Sequence, residues 1–174
     1  DDLTIISRGS SFCRKMLLNG DLDIALLGSN YPLKEPNLIT ETFARSPYKI
    51  IVGYDHPWAN RQSVSIEELR GQRFISQNES FVQHRALKKM ARLGHFRLNI
   101  VCQTDNVNIL KALVAENIGI SLQTAISINP DDHLHAIDIE AEDFPTFNMS
   151  IAYHARHYLT DKQQKVLDIL RKSI

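Results

Sequence analysis

Apolar positions along this chain come in short runs whose period switches between that of a strand and that of a helix, and the switching predicts an architecture. The run at residues 3–6 reads as a strand. It ends at Arg8-Gly9-Ser10-Ser11, after which residues 12–18 follow a helical period, with a serine placed as N-cap and Asn19-Gly20 as the stop. Asp23-Ile24-Ala25-Leu26-Leu27-Gly28 is continuously apolar behind one aspartate, the pattern of a strand buried on both faces of a parallel sheet. Together these segments predict a β-α-β unit.

Residues 30–37 contain two prolines and predict a surface loop. A β-branched strand follows at residues 48–54, broken by Asp55-His56-Pro57-Trp58, then a helical turn from Ser65 and a strand at Arg73-Phe74-Ile75-Ser76. Residues 80–93 repeat with helical period up to Gly94, and Ser80 and Gln83 have the spacing of a capping box. Residues 98–103 predict a strand, 106–116 an amphipathic helix stopped near Gly119, and 120–122 a short strand. Beyond Pro130-Asp131-Asp132 come an apolar run at 134–139, a polar loop around Pro145, a strand at 149–153 and a last helix at 160–172. Strands alternating with helices predict an α/β fold with a parallel sheet flanked by helices.

Composition narrows the role. Lysine plus arginine total 20 and aspartate plus glutamate total 20, so no net charge draws this segment to a phosphate backbone or an anionic membrane. No apolar run approaches the roughly 18 to 20 residues that span a bilayer, and Asp1-Asp2-Leu3 does not open like a signal peptide, so the expected compartment is the cytoplasm. Cys13 and Cys102 have neither redox-pair nor zinc-ligand spacing and read as reduced core residues. His133 with His135, and His154 with His157, lack the further ligands of a zinc site, so no metal or other cofactor is expected. No nucleophile elbow or dinucleotide fingerprint is present, and no catalytic residue is assigned.

Four blocks at compatible spacings carry a resemblance. LLNGDLDIAL at 17–26, YKIIVGYDHPWA at 48–59, SIEELRGQRFI at 65–75 and LKALVAENIGISL at 110–122 resemble, in order, segments of the effector-binding domain of LysR-type transcriptional regulators. The resemblance implies the type 2 periplasmic binding protein fold, two Rossmann-like lobes joined by two crossovers. Residues 1–54 and 148–174 then form the first lobe and 55–147 the second, with crossovers near Gly53 to His56 and Phe147 to Ser150. It also implies a domain truncated at its N-terminus, since the family has a further strand and helix there, preceded by a winged helix-turn-helix. Gln123-Thr124 departs from the family, which often has an apolar residue and proline after the short strand.

Ligands of such sheets sit beyond the carboxyl ends of the strands, at helix N-termini with free N–H groups. The candidate contacts are Ser10 and Ser11 in the first lobe and Asn78, Ser80, Phe81, Thr104, Asp105 and Asn106 in the second. Most are also the residue types that cap helices with nothing bound, so capping and ligand contact both stand. Arg8, Arg45 and Arg85 are further possible anion contacts, read first as surface arginines. The resemblance implies a small polar metabolite in the cleft between lobes, a homodimer or homotetramer, and DNA contact only through the helix-turn-helix domain. A solute receptor of a transport system with the same fold is the alternative, and an enzyme on that fold a more remote one.

Overall fold

The structure, a computed structural model, describes residues 3–156 and 158–172. In chain order its elements are α1 (Ser10–Asn19), β1 (Ile24–Ser29), β2 (Leu38–Ser46), β3 (Tyr48–Gly53), β4 (Ser63–Ser65), β5 (Arg73–Ser76), α2 (Val82–Leu93), β6 (Asn99–Gln103), α3 (Val107–Ala115), β7 (Ser121–Thr124), β8 (Leu134–Glu140), β9 (Phe147–His154) and α4 (Asp161–Lys172). They form two compact units: one takes the chain up to Arg45 and again from Asn148 onward, the other runs from Ser46 to Phe147. The division falls at Ser46, whereas the expectation from sequence put it near residue 54. β3 pairs with β7 on one edge and β8 on the other, so it is the interior of the second unit rather than part of the first.

In the first unit the strand order is β1-β9-β2. β1 runs antiparallel to β9, with Ile24 opposite Tyr153 and Ser29 opposite Asn148, so the strand expected in a parallel sheet has an antiparallel neighbour. α1 packs on this sheet through Cys13 and Leu17, which share a core with Ala25, Leu27, Leu38 and Ala152. Gly20 ends the helix at φ 82, a left-handed conformation that suits glycine, and the N–H groups of Gly20 and Asp21 return to the carbonyls of Leu17 and Met16. The serine expected as N-cap is not one: Gly9 holds that position, because the Ser10 Oγ accepts instead from the Gly28 N–H at 2.8 Å. Residues 3–6 form no strand, and Leu3 and Ile5 are 70% and 83% exposed. A strand persists only where a neighbour takes its backbone groups, and no described segment pairs with this run.

The second unit is a mixed sheet rather than the expected parallel one. β4-β8-β3-β7 form one stretch and β5-β6 another. A parallel bridge between Phe74 and Ile120 joins them, with Ile75 N–H to Ile120 O and Ile120 N–H to Arg73 O both at 2.8 Å. Gly119 permits that approach, since a Cβ there would lie 2.7 Å from the Arg73 carbonyl oxygen. β3 is antiparallel to β7 and β8, whereas β5 and β6 are parallel. α3 covers one face, where Ile51, Ile75, Leu110 and Val114 form a core. Alternation turns Phe74 and Ser76 to the other face, and α2 lies there with His84, Leu87, Met90 and Ala91 buried. β2 and β4 had no counterpart in the pattern of apolar runs, for both carry mixed polar and apolar positions.

Candidate functional site

The strands β5, β6 and β7 point their carboxyl ends to one edge of the second unit, because β5 is parallel both to β6 and to the bridge at Ile120. The Thr104 N–H donates to the Ser76 carbonyl at 3.1 Å and ties two of those ends together. Thr104, Asp105 and Asn106 follow β6, while Asn78, Ser80 and Phe81 follow β5 and lead into α2. All six predicted second-unit residues therefore lie at this edge. Ser10 and Ser11 lie in the first unit, in the opening turn of α1, where the Ser10 bond to Gly28 sets the helix start beside the end of β1.

Local hydrogen bonds decide between capping and free chemistry at each position. Asn106 caps α3, its Oδ1 accepting from the Asn108 N–H at 2.9 Å and the Ile109 N–H at 3.2 Å, which leaves Asp105 exposed and outside the cap. The Thr104 Oγ1 accepts from the Asn106 N–H at 3.2 Å. Ser80 does not form the expected capping box, because its N–H and its hydroxyl both donate to Asn78 Oδ1, at 2.9 and 2.6 Å. Phe81 is the N-cap residue of α2 and has no side-chain acceptor to offer, so no side chain caps that helix.

Three buried side-chain atoms among the described residues have no hydrogen-bond partner: Gln77 Oε1, His84 Nε2 and Gln123 Oε1. All three belong to this edge. Gln77 follows the last residue of β5, and Gln123 is the last residue but one of β7. His84, in the first turn of α2, sets its Nδ1 3.0 Å from the Gln77 carbonyl and 3.1 Å from Ser76 Oγ. Native interiors pair nearly all their polar groups, so three unpaired atoms near one edge make it the candidate for contact with another molecule. Such an edge has the chemistry to hold a small polar ligand by hydrogen bonds.

A family model described as the LysR substrate binding domain matches residues 2–174. The chain belongs to that family. Among curated proteins it is 29% identical over 170 residues to the malolactic fermentation system transcriptional activator of Lactococcus lactis subsp. lactis (strain IL1403), covering 97% of this chain and 58% of the relative. It is 26% identical over 142 residues to a probable RuBisCO transcriptional regulator of Phaeodactylum tricornutum, covering 79% of this chain and 46% of the relative. The chain thus spans about half the length of these relatives. Among solved structures it is similar to the CcmR regulatory domain of Synechocystis PCC6803 in complex with 2-PG, with a TM-score of 0.79, 21% identity and coverage of 95% of this chain and 79% of that one. The effector binding domain of QuiR in complex with shikimate superposes with a TM-score of 0.79 at 17% identity, over 95% of this chain and 78% of that one. The fold of this LysR substrate-binding domain is therefore that of the type 2 periplasmic binding proteins.

Sequence reading picked out the loops at this edge but not its unpaired groups. His84 had a signal, since it falls on the apolar stripe of α2 with Leu87 and Ala91, where an imidazole is out of place. Gln123 had another, as the polar departure from the family pattern. Arg8, Arg45 and Arg85 are exposed, and Arg85 acts on the second unit through Tyr48: burial pushes that phenol well above its ordinary range, and the nearby guanidinium pulls it partly back. Histidine chemistry lies elsewhere. His133 sits before β8 in a left-handed conformation, φ 53, so it does not share a strand face with His135, whose Nε2 lies 3.0 Å from the Arg61 carbonyl. His154 Nδ1 accepts from the Arg156 N–H, and His157 lies outside the described residues. No group of three or more metal-ligating side chains occurs among the described residues.

Proposed function

We propose that this LysR substrate-binding domain is the effector sensor of a LysR-type transcriptional regulator, that it binds a small polar metabolite, and that it performs no catalysis. The observation that carries the reading is the match of the family model along residues 2–174. On the second unit the proposed ligand contacts are the groups at the C-terminal edge of β5, β6 and β7, namely Asn78, Ser80, Phe81, Thr104, Asp105 and Asn106 joined by Gln77, His84 and Gln123; on the first unit they are Ser10 and Ser11 of α1. Binding controls transcription by favouring one of two arrangements of the protein, which requires that the ligand's affinity differ between them. DNA is contacted by a separate helix-turn-helix domain. The protein works in the cytoplasm, and no described helix is long and apolar enough to cross a membrane.

The assembly is a homodimer or homotetramer. Supporting this, β6 is an edge strand whose Val101 is 38% exposed, and the adjoining α3 leaves Ile109 52% exposed. Phe12 on α1 is similarly bare.

Thermal unfolding of the 174-residue chain against amino acids, organic acids, sugars, shikimate and 2-PG tests the proposal. A ligand at about one hundred times its Kd stabilises the native state by roughly 2.7 kcal/mol, which for a chain of this size raises Tm by about 5–10 °C. A saturable shift from one compound is expected. No shift from any of them, or turnover of the compound that binds, refutes the reading.

A further inference from the structure

We infer that the effector turns hydroxyl or amino hydrogens, and not a bare carboxylate, toward the C-terminal edge of the second unit. The inference rests on the effector-sensing reading above and adds the polarity of the ligand's recognised face. The first ground is the imidazole of His84. Its Nδ1 lies 3.0 Å from the Gln77 carbonyl oxygen, which only accepts, so the proton of the neutral ring resides on Nδ1. Nε2 then carries a lone pair with no donor in reach. The Glu79 carboxylate lies 3.9 Å from Nε2, beyond hydrogen-bond distance, and is held by Lys88 at 3.0 Å.

The second ground is that the other two unpaired atoms at this edge, Gln77 Oε1 and Gln123 Oε1, are acceptors too. The amide nitrogen of Gln123 is already engaged, donating to Ser121 Oγ at 3.3 Å. Gln77, His84 and Gln123 are 5%, 3% and 1% exposed, so each unpaired atom carries close to the full desolvation cost of a polar group. The third ground is charge. The one buried cation among the described residues is Lys111, and it is committed to Asp132 at 2.6 Å near the start of β8, away from this edge. A carboxylate or phosphate oxygen facing these three acceptors, with no buried cation beside them, would leave all three unpaired, whereas an O–H or N–H group would complete each of them.

The test is a set of matched pairs in the thermal-unfolding assay: lactate with propionate, tartrate with succinate, serine with propionate, and shikimate with cyclohexene-1-carboxylate, together with glucose and myo-inositol. Where a pair binds at all, the hydroxylated or aminated member is expected to bind about tenfold or more tightly than its partner, because the deoxy compound leaves a buried acceptor unpaired. Neutral sugars or polyols that bind while simple acids do not support the inference equally. If the deoxy acids bind as well as their partners, the inference fails while the sensor reading stands. If no compound shifts Tm, both fail.

The variants Q77M and Q123M give a second readout that requires no ligand. Each replaces a buried amide with an unpaired carbonyl oxygen by an apolar chain of similar length, Q123M also giving up the long 3.3 Å bond to Ser121 Oγ, so the free protein is expected to melt at or above the temperature of the unsubstituted chain, and to lose discrimination within the pairs. Lower melting of both variants with discrimination intact overturns the assignment.

Discussion

Replacing Asp132 with alanine is expected to destabilise the second unit far more than replacing Lys111 with methionine, although each removes the same ion pair. Lys111 is 5% exposed on α3, and its Nζ lies 2.6 Å from Asp132 Oδ2. Without Asp132 the ammonium loses its ion-pair partner, and breaking a buried pair from one side costs about 3–5 kcal/mol. The Asp132 side chain keeps 17% exposure, which places the cost near the lower end, about 3 kcal/mol. In K111M the methionine fills the space of the lysine stem, while Asp132 retains both some solvent and the Asn129 N–H at 2.7 Å. That loss is about 1 kcal/mol. Urea unfolding read by Trp58 is the assay, since this is the single tryptophan and it lies in the same unit.

The double variant K111M/D132A is expected to be more stable than D132A alone, because it no longer buries an unpaired charge. The pH dependence has a defined sign. Burial would raise the Asp132 carboxyl, but the Lys111 hydrogen bond and the Asn129 N–H outweigh it and hold the group below its ordinary value. A carboxylate depressed in the folded state contributes its stability above the unfolded pKa, about 3.9, and loses it as pH falls through the folded value. The gap between the unsubstituted chain and D132A is therefore full at pH 7 and closes in acid below about pH 4. Equal costs for D132A and K111M, or a gap that persists in acid, refute the reasoning.

Asn106→Ala removes the cap whose Oδ1 serves two N–H groups of α3 and is expected to cost about 1 kcal/mol by the same urea assay. Gly119→Ala places a Cβ 2.7 Å from the Arg73 carbonyl and is expected to cost roughly 1–3 kcal/mol, because the obstacle is backbone that carries the link between β5 and β7. His56 accepts the Trp58 N–H on Nδ1 at 3.1 Å, which needs the unprotonated ring, and burial lowers its pKa. The stability of this turn is then complete above about pH 6.5 and declines as pH falls through the folded value; NMR titration is expected to place His56 below the free-histidine value, and a normal or raised midpoint would count against the assignment.

What the sequence made legible follows from what periodicity encodes. A continuous apolar run such as Asp23 to Gly28 announces a buried strand, and the helical repeats before Gly20 and Gly94 announce helices with their stops, so α1, β1, α2 and α3 were all readable. Periodicity carries no direction. The same run serves a parallel or an antiparallel neighbour, and β1 against β9 and β3 between β7 and β8 are antiparallel. β2 was invisible because its burial does not alternate: Leu38 and Ser46 are buried at its ends, while Ile39 is 44% exposed and its polar positions fall on both faces.

The candidate site divides along the same line. Loops after strands and residues that cap helices are local features, so Asn78, Thr104 and Asn106 stood out, and Asn106 proves to be a cap. An unpaired acceptor is not local. Whether Gln123 is a solvated surface amide or a buried carbonyl without a donor depends on β3 lying beside it and on Ser121 engaging its other end. His84 comes closer to being readable, because an imidazole on an apolar helical stripe must be either paired or reserved for something else. Its Nδ1 is paired by the loop that ends β5, and its Nε2 is not. The fold thus uses one nitrogen to hold the ring still and leaves the other without a hydrogen-bond partner, and that asymmetry is the ground on which we propose His84 as a recognition group.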